Sequence, residues 1–255
     1  MSKRRKPSSG FLGDLITQAQ ESKEDKQGVN KNSSLESIRE LISSYDEIYE
    51  TKPLRESEEH YRWVLEKLNP PQETTLLDIA CGGGYFLRQA EKKSLRTIGL
   101  DFSASALKIA RQEAKNSALI CGNAEELPFR GETFDFISNL GSLEHFINPK
   151  RAVEEMARVL KKKGRAAILV PNSYFLMTII NVWRTGSTGR RTDQKIDRWA
   201  SKEEWSRLIE QNGFRIETVY KYNYKTPADS WKYRLIRPFI PLNLSYCFLF
   251  ICSKP

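Results

Sequence analysis

Asp78 stands inside the apolar run Leu76–Ala80, and three consecutive glycines, Gly82, Gly83 and Gly84, follow it. Glycines in a row serve a backbone that takes unusual dihedral angles or lets another group come very close. Where a buried strand ends and a helix opens, that group is usually a nucleotide-like ligand; the competing reading is an ordinary tight turn of an α/β domain. A second carboxylate, Asp101, lies 23 residues after Asp78, the separation that a strand-helix-strand unit demands. A carboxylate there suits a ribose, whose hydroxyls donate to it. His145 lies just past a fourth apolar strand, and its ordinary pKa near neutrality makes it the candidate general base. The competing reading of His145 is a turn histidine that packs beside the ligand.

The elements that must position these residues follow from the pattern of apolar side chains. Strand-like runs occur at Leu76–Ala80, Thr97–Asp101, Ala118–Gly122, Phe134–Asn139 and Ala166–Val170, with helices near Tyr85–Lys92, Ala104–Lys115 and Pro149–Leu160. Short apolar strands alternating with helices form a parallel sheet covered on both faces. Two further strands, Phe214–Tyr222 and Tyr246–Cys252, close the chain. The expected fold is therefore α/β, a Rossmann-like doubly wound sheet of seven strands with the last antiparallel.

Ahead of the sheet, Leu35, Ile38, Leu41, Ile42, Tyr45, Ile48 and Tyr49 mark one helix, and Tyr61, Val64, Leu65 and Leu68 a second, with Pro53 between them. Residues 34–70 read as a helical cap. Residues 1–33 are polar, with Lys3, Arg4, Arg5 and Lys6 at the tip and Phe11–Ile16 as their only apolar cluster; they read as a disordered basic tail. Residues 172–200 begin apolar and turn basic, and read as an insertion or lid. Ser201 to Glu204 is a capping box ahead of a helix that Gly213 stops. Thus 34–255 is one domain.

The 255 residues are 39% hydrophobic and 29% charged, with a net charge of +9, which favours anionic partners. Cys81, Cys121, Cys247 and Cys252 make no CxxC pair and read as reduced thiols of a cytoplasmic protein. Only His60 and His145 are available as imidazole ligands, so no metal site is expected. Tyr174–Trp183 is about half the ~20 residues a membrane span requires, and Leu235–Cys252 is broken by Arg237, Pro238, Pro241 and Asn243. Neither crosses a bilayer; either can touch one, so peripheral contact stays open.

The ordered motifs resemble those of class I S-adenosylmethionine-dependent methyltransferases, in particular the small-molecule methyltransferase type 11 group. Asp78-x-Ala80-Cys81-Gly82-Gly83-Gly84 is similar to the family's first motif, with Ala80 where a glycine is usual. Gly99-Leu-Asp101 matches the acidic end of its second strand, and Gly122-Asn123-Ala124 through Pro128-Phe129 its third. Phe134-Asp135 to Glu144-His145-Phe146 and Arg158 to Gly164 continue the match over about residues 75–171. The resemblance implies S-adenosyl-L-methionine as cofactor. It places Asp78, Ala80, Cys81, Gly82, Gly84 and Asn139 about its amino acid end and Asp101 on the ribose. Asn123 and Ala124 fall at the adenine, with Phe102 either on the adenine or in the core. Asn123, where the family usually has Asp, keeps the acceptor oxygen without the charge. A dehydrogenase is the competitor, but from Gly82 its third glycine position is Leu87. The related Glu-x-x-Glu-His metal pattern has Gly141 at its first position, consistent with no metal.

The chemistry implied is in-line transfer of a sulfonium methyl, O-transfer before N-transfer. Segments outside the core must roof the acceptor; they offer Tyr45, Tyr49, Arg55, His60, Tyr174, Trp183, Arg184, Arg190, Arg191 and Trp199, with Tyr45, Tyr49, Arg55, Tyr174 and Trp183 as the candidates. Aromatics beside arginines suit a small-molecule, glycan or lipid-precursor acceptor, including an anionic one. The alternatives are an RNA or protein methyltransferase recruited by basic surface and a non-catalytic cofactor-binding scaffold. Specific nucleic-acid binding is not expected, since Asn139-Leu-Gly-Ser142 lacks the Pro-Pro-Tyr of base-modifying enzymes.

Overall fold

The computed structural model describes residues 31–51, 54–188, 194–223 and 231–255. The expectations for the basic tail, Pro53, Arg190 and Arg191 lie outside the described residues. Two helices come first, α1 (Lys31–Thr51) and α2 (Glu58–Leu68). Ser57 caps α2 by accepting from the His60 N–H, and Asn69 ends it in the left-handed conformation. The alternating unit follows as β1 (Thr75–Ile79), α3 (Tyr85–Lys92), β2 (Arg96–Asp101), α4 (Ala104–Glu113), β3 (Ala118–Cys121), β4 (Phe134–Leu140), α5 (Pro149–Val159) and β5 (Leu160–Pro171). Then come α6 (Leu176–Thr185), α7 (Lys202–Glu210), β6 (Arg215–Tyr222), α8 (Trp231–Ile236) and β7 (Cys247–Ser253).

The strands form one seven-stranded sheet in the order β3-β2-β1-β4-β5-β7-β6. Pairing is parallel from β3 through β5, while β7 is antiparallel to both β5 and β6. Every residue of β1 and of β7 is buried, as strands covered on both faces require. Two apolar clusters lie on opposite faces: one holds Leu77, Ile79, Ile137 and Phe250 with α5 and α7, the other Leu76, Phe136, Leu169 and Leu249 with α2, α3 and α4. The seven-stranded expectation therefore holds, reversed strand included.

Boundaries shift where local geometry decides. Leu160 opens β5 instead of ending α5, because its backbone is extended. Residues 172–200 contain a regular helix, α6, and α8 arises in a stretch the pattern left unassigned. The Ser201 capping box forms, with Glu204 returning the bond to the Ser201 N–H. No helix among the described residues is long and apolar enough to cross a membrane.

A candidate cofactor and acceptor site

The topology reverses between β1 and β4, and a cavity of about 430 Å3 opens at the carboxyl ends of these strands. A crevice at such a switch point is where open α/β sheets bind ligands, and the volume suits one drug-sized molecule. Its floor is the turn after β1. Ala80, Gly82 and Gly84 all take positive φ, at 57°, 51° and 74°. A Cβ on Gly82 would come within 2.3 Å of the Tyr49 hydroxyl, so only glycine leaves backbone bare under α1. Gly84 starts α3 and packs on Ala110, where a Cβ would meet that of Ala110 at 2.9 Å.

Asp101 anchors this floor. One of its carboxylate oxygens accepts from the Gly82 N–H at 2.8 Å and the other from the Ser103 N–H at 2.9 Å. Burial pushes its pKa up to about 6, against those backbone bonds. Ser103 caps α4, accepting from the Ala106 N–H. Asp78 is buried beside it, accepts from the Ser138 hydroxyl at 2.7 Å and is pushed up to about 7 by burial. Asn139 sits fully buried at the end of β4, its amide donating to the Ile79 carbonyl and the Ser142 hydroxyl, while its oxygen has no partner. An orphaned buried acceptor of this kind costs about 1–3 kcal/mol unless a donor reaches it. Asn123 and Ala124 line the far end with Phe102, whose ring meets Tyr45 edge-on at 5.2 Å. The Asn123 side-chain oxygen accepts from the Glu125 N–H at 2.9 Å, which orients it.

α1 forms the roof. Leu41, Ile42, Tyr45 and Tyr49 line the cavity from above. The helix is fastened by Asp46, which accepts from the Ser103 hydroxyl at 2.5 Å and the Ser105 N–H at 3.1 Å, and by Glu50 on the Ser105 hydroxyl at 3.0 Å. His145 stands in the wall beside Tyr45, the two rings meeting edge-on at 6.4 Å. The Ile196 carbonyl can only accept, so Nδ1 carries the proton of the neutral ring and Nε2 keeps the lone pair. Burial lowers the His145 pKa, which keeps the ring neutral and able to take a proton. Its neighbour Glu144 is buried, has one oxygen unpartnered and is pushed up to about 8.

A third part of the cavity was not anticipated as a unit. Glu56, His60, Tyr61, Tyr85, Phe86 and Leu169 line it beside Arg55. His60 is 3% exposed, both its ring nitrogens lack partners, and burial lowers its pKa to about 4. Tyr222 packs on the His60 ring at 4.3 Å and donates to Glu56 at 3.3 Å; burial pushes Glu56 up to about 7. The signal available was two polar residues, Glu56 and His60, at the start of α2, but nothing local in the sequence shows that they face Tyr222.

Asp78, Ala80, Cys81, Gly82, Asp101, Phe102, Asn123, Ala124, His145, Tyr45, Tyr49 and Arg55 thus meet around one cavity. Gly84 and Asn139 support it from behind. Tyr174 and Trp183 do not line it: they are 58% and 85% exposed on and before α6. Among the described residues no group of three His, Cys, Asp or Glu could hold a metal.

The comparisons with known proteins fit this geometry. Residues 77–168 match the model of a family described as a methyltransferase domain. An uncharacterized protein of Methanocaldococcus jannaschii is 32% identical over 193 residues, 75% of this chain and 71% of that one. The demethylmenaquinone methyltransferase of Bacillus licheniformis is 33% identical over 141 residues, 52% of this chain and 60% of that one. The 2-phytyl-1,4-naphtoquinone methyltransferase of Thermosynechococcus vestitus is 36% identical over 119 residues, covering 43% and 53%. The chain thus spans less than two thirds of either quinone enzyme. Among solved structures, a putative methyltransferase of Haloferax volcanii, in complex with the activator Trm112, superposes with a TM-score of 0.60 at 20% identity, covering 86% of this chain and 97% of that one. A putative methyltransferase of Bacillus halodurans gives 0.59 at 20% identity, covering 77% and 99%. These two likenesses concern the fold alone.

Proposed function

We propose that this chain, which belongs to the class I S-adenosylmethionine-dependent methyltransferases, binds that cofactor across the tips of β1, β2 and β3 and methylates a hydroxyl of a small, largely apolar acceptor. The residues fit the cofactor. Asp101 has lone pairs left for two ribose hydroxyls, and the Gly82 backbone beside it carries no side chain. Bound there, the cofactor supplies an electrophilic sulfonium methyl group.

The chain's own residues then hold the acceptor close and aligned, which alone is worth ~7–11 kcal/mol of barrier. Tyr45 and Tyr49 close the cavity above, Tyr61 and Phe86 flank the acceptor side, and Arg55, Glu56 and His60 are polar groups for its oxygen functions. His145 Nε2 takes the hydroxyl proton as the nucleophile forms. A ring system or lipid precursor matches this lining better than a glycan, and two relatives are named for the acceptors demethylmenaquinone and 2-phytyl-1,4-naphtoquinone. Replacing His145 by Ala should lower turnover by about 10²–10⁴ with S-adenosylhomocysteine binding unchanged; unchanged turnover removes it as base.

The observation that carries the reading is the pair of backbone N–H groups that aim Asp101 into the cavity. Calorimetric titration with S-adenosylhomocysteine tests it. Asp101→Ala should weaken binding by roughly 10–150-fold, the loss of charged hydrogen bonds worth about 1.5–3 kcal/mol. Asp101→Asn, which keeps the shape, should fall between. Undiminished binding in a folded Asp101→Ala protein overturns the proposal.

A further inference from the structure

The large apolar side chains that the described residues leave in solvent are not scattered. Tyr174, Ile179, Val182 and Trp183 project along α6 and its approach, and α6 has no buried residue at all. Trp231, Leu235 and Ile236 on α8, with Phe239 just beyond at 84% exposed, form the second group. Phe175 meets Tyr233 edge-on at 6.4 Å, which joins the two helices into one face. The two remaining members of the exposed apolar set, Leu54 and Ile147, both line the cavity described above.

Topology puts the face and the cavity on the same rim. β5 and β6 leave the sheet at its carboxyl edge, toward α6 and α8, and the reversed β7 enters there. Tyr222, which donates to Glu56 in the cavity wall, is followed by Asn223, whose amide donates to the Arg237 carbonyl at 3.4 Å. Lys221 fixes the same segment through the Pro238 and Ile240 carbonyls at 2.7 and 2.9 Å.

The charge pattern selects the partner. Residues 173–188 and 231–245 contain no Asp or Glu, while Arg184, Lys232, Arg234 and Arg237 fall within them. A water-exposed apolar face with tryptophans and cations but no anions is suited to the interface of an anionic bilayer, where aromatic rings enter the headgroup layer and the basic groups meet lipid phosphates. We propose that the α6–α8 face docks on an anionic lipid surface, with the cavity on the side turned toward it. The docking does not depend on which acceptor is methylated.

The test is flotation of the full chain with vesicles of phosphatidylcholine alone or with about one third phosphatidylglycerol, alongside tryptophan fluorescence. Binding should require the anionic lipid, weaken with salt, and shift emission to the blue as Trp183 and Trp231 leave water. The double variant Trp183→Ser, Phe239→Ser removes two exposed rings, so it should fold and bind S-adenosylhomocysteine as before, yet lose on the order of tenfold or more in vesicle partition. If the intact chain ignores anionic vesicles, the proposal is wrong. It is equally wrong if the double variant binds them undiminished, which would assign binding to the basic N-terminal residues. A concentration-dependent dimer abolished by the same variant, without vesicle binding, would assign the face to a second copy of the chain.

Discussion

Ala80 sits where the backbone has just left β1 and must turn under the cavity, at a φ of 57°. An L-residue with a Cβ is strained there by about 1–2 kcal/mol, whereas glycine is not. Ala80→Gly should therefore raise stability by about 1 kcal/mol, part of the relief being lost to the freer unfolded chain. Denaturant unfolding measures this, and a destabilised variant would show that the Ala80 methyl packs usefully. The residues of this turn were legible from types and spacing alone, because glycines and carboxylates report what the backbone does locally. Arg55 and Tyr49, proposed through the cap segment, line the cavity. Tyr174 and Trp183 were not, because an aromatic side chain carries no record of which side of its helix meets the sheet.

At the level of elements, α1 is held over the cavity by an apolar cluster, in which Tyr45 and Tyr49 pack with Ala106, Phe102 and Ile109, and by polar contacts to α4. Asp46 and Glu50 accept from Ser103 and Ser105 at the amino end of α4, where the helix dipole also favours negative charge. The two carboxylates thus add polar anchors to the apolar seat of the α1 rings. Asp46→Ala should cost about 1 kcal/mol of stability. It should also speed dissociation of S-adenosylhomocysteine severalfold in stopped-flow displacement, while Asp46→Asn keeps most of the contact. An unchanged dissociation rate would mean that α1 does not govern exit. The alternating strands and helices were readable because apolar period and length announce them. What could not be read was the join between distant elements: the Tyr222 side chain at the end of β6 meeting Glu56 and His60, 166 residues away in the case of Glu56. Such contacts are set by sheet order, which no local pattern contains.

For the whole molecule, buried acids dominate the response to pH. Burial pushes Glu144 up to about 8 and Asp78 and Glu56 to about 7. Each holds its proton more firmly folded than unfolded, so each contributes a loss of stability as pH rises through the interval up to its folded value. His60, lowered to about 4 and buried neutral, acts the other way, but only below about 6.5. Between about pH 6.5 and 8 the acids prevail. The thermal midpoint of the cofactor-free protein should climb by a few degrees on going down through that window, at roughly 2–4 °C per kcal/mol. A midpoint that climbs in the opposite direction would mean these carboxyls are hydrated or paired.

The reversed strand β7 comes after every other element in chain order, yet lies between β5 and β6 and pairs with each. On a ribosome, β5 therefore waits with one flank bare while some 75 further residues are translated, and β6 has nowhere to dock in the meantime. Unpaired strand edges, with their bare N–H and C=O groups, recruit one another, so the growing chain is open to edge-to-edge association until β7 emerges.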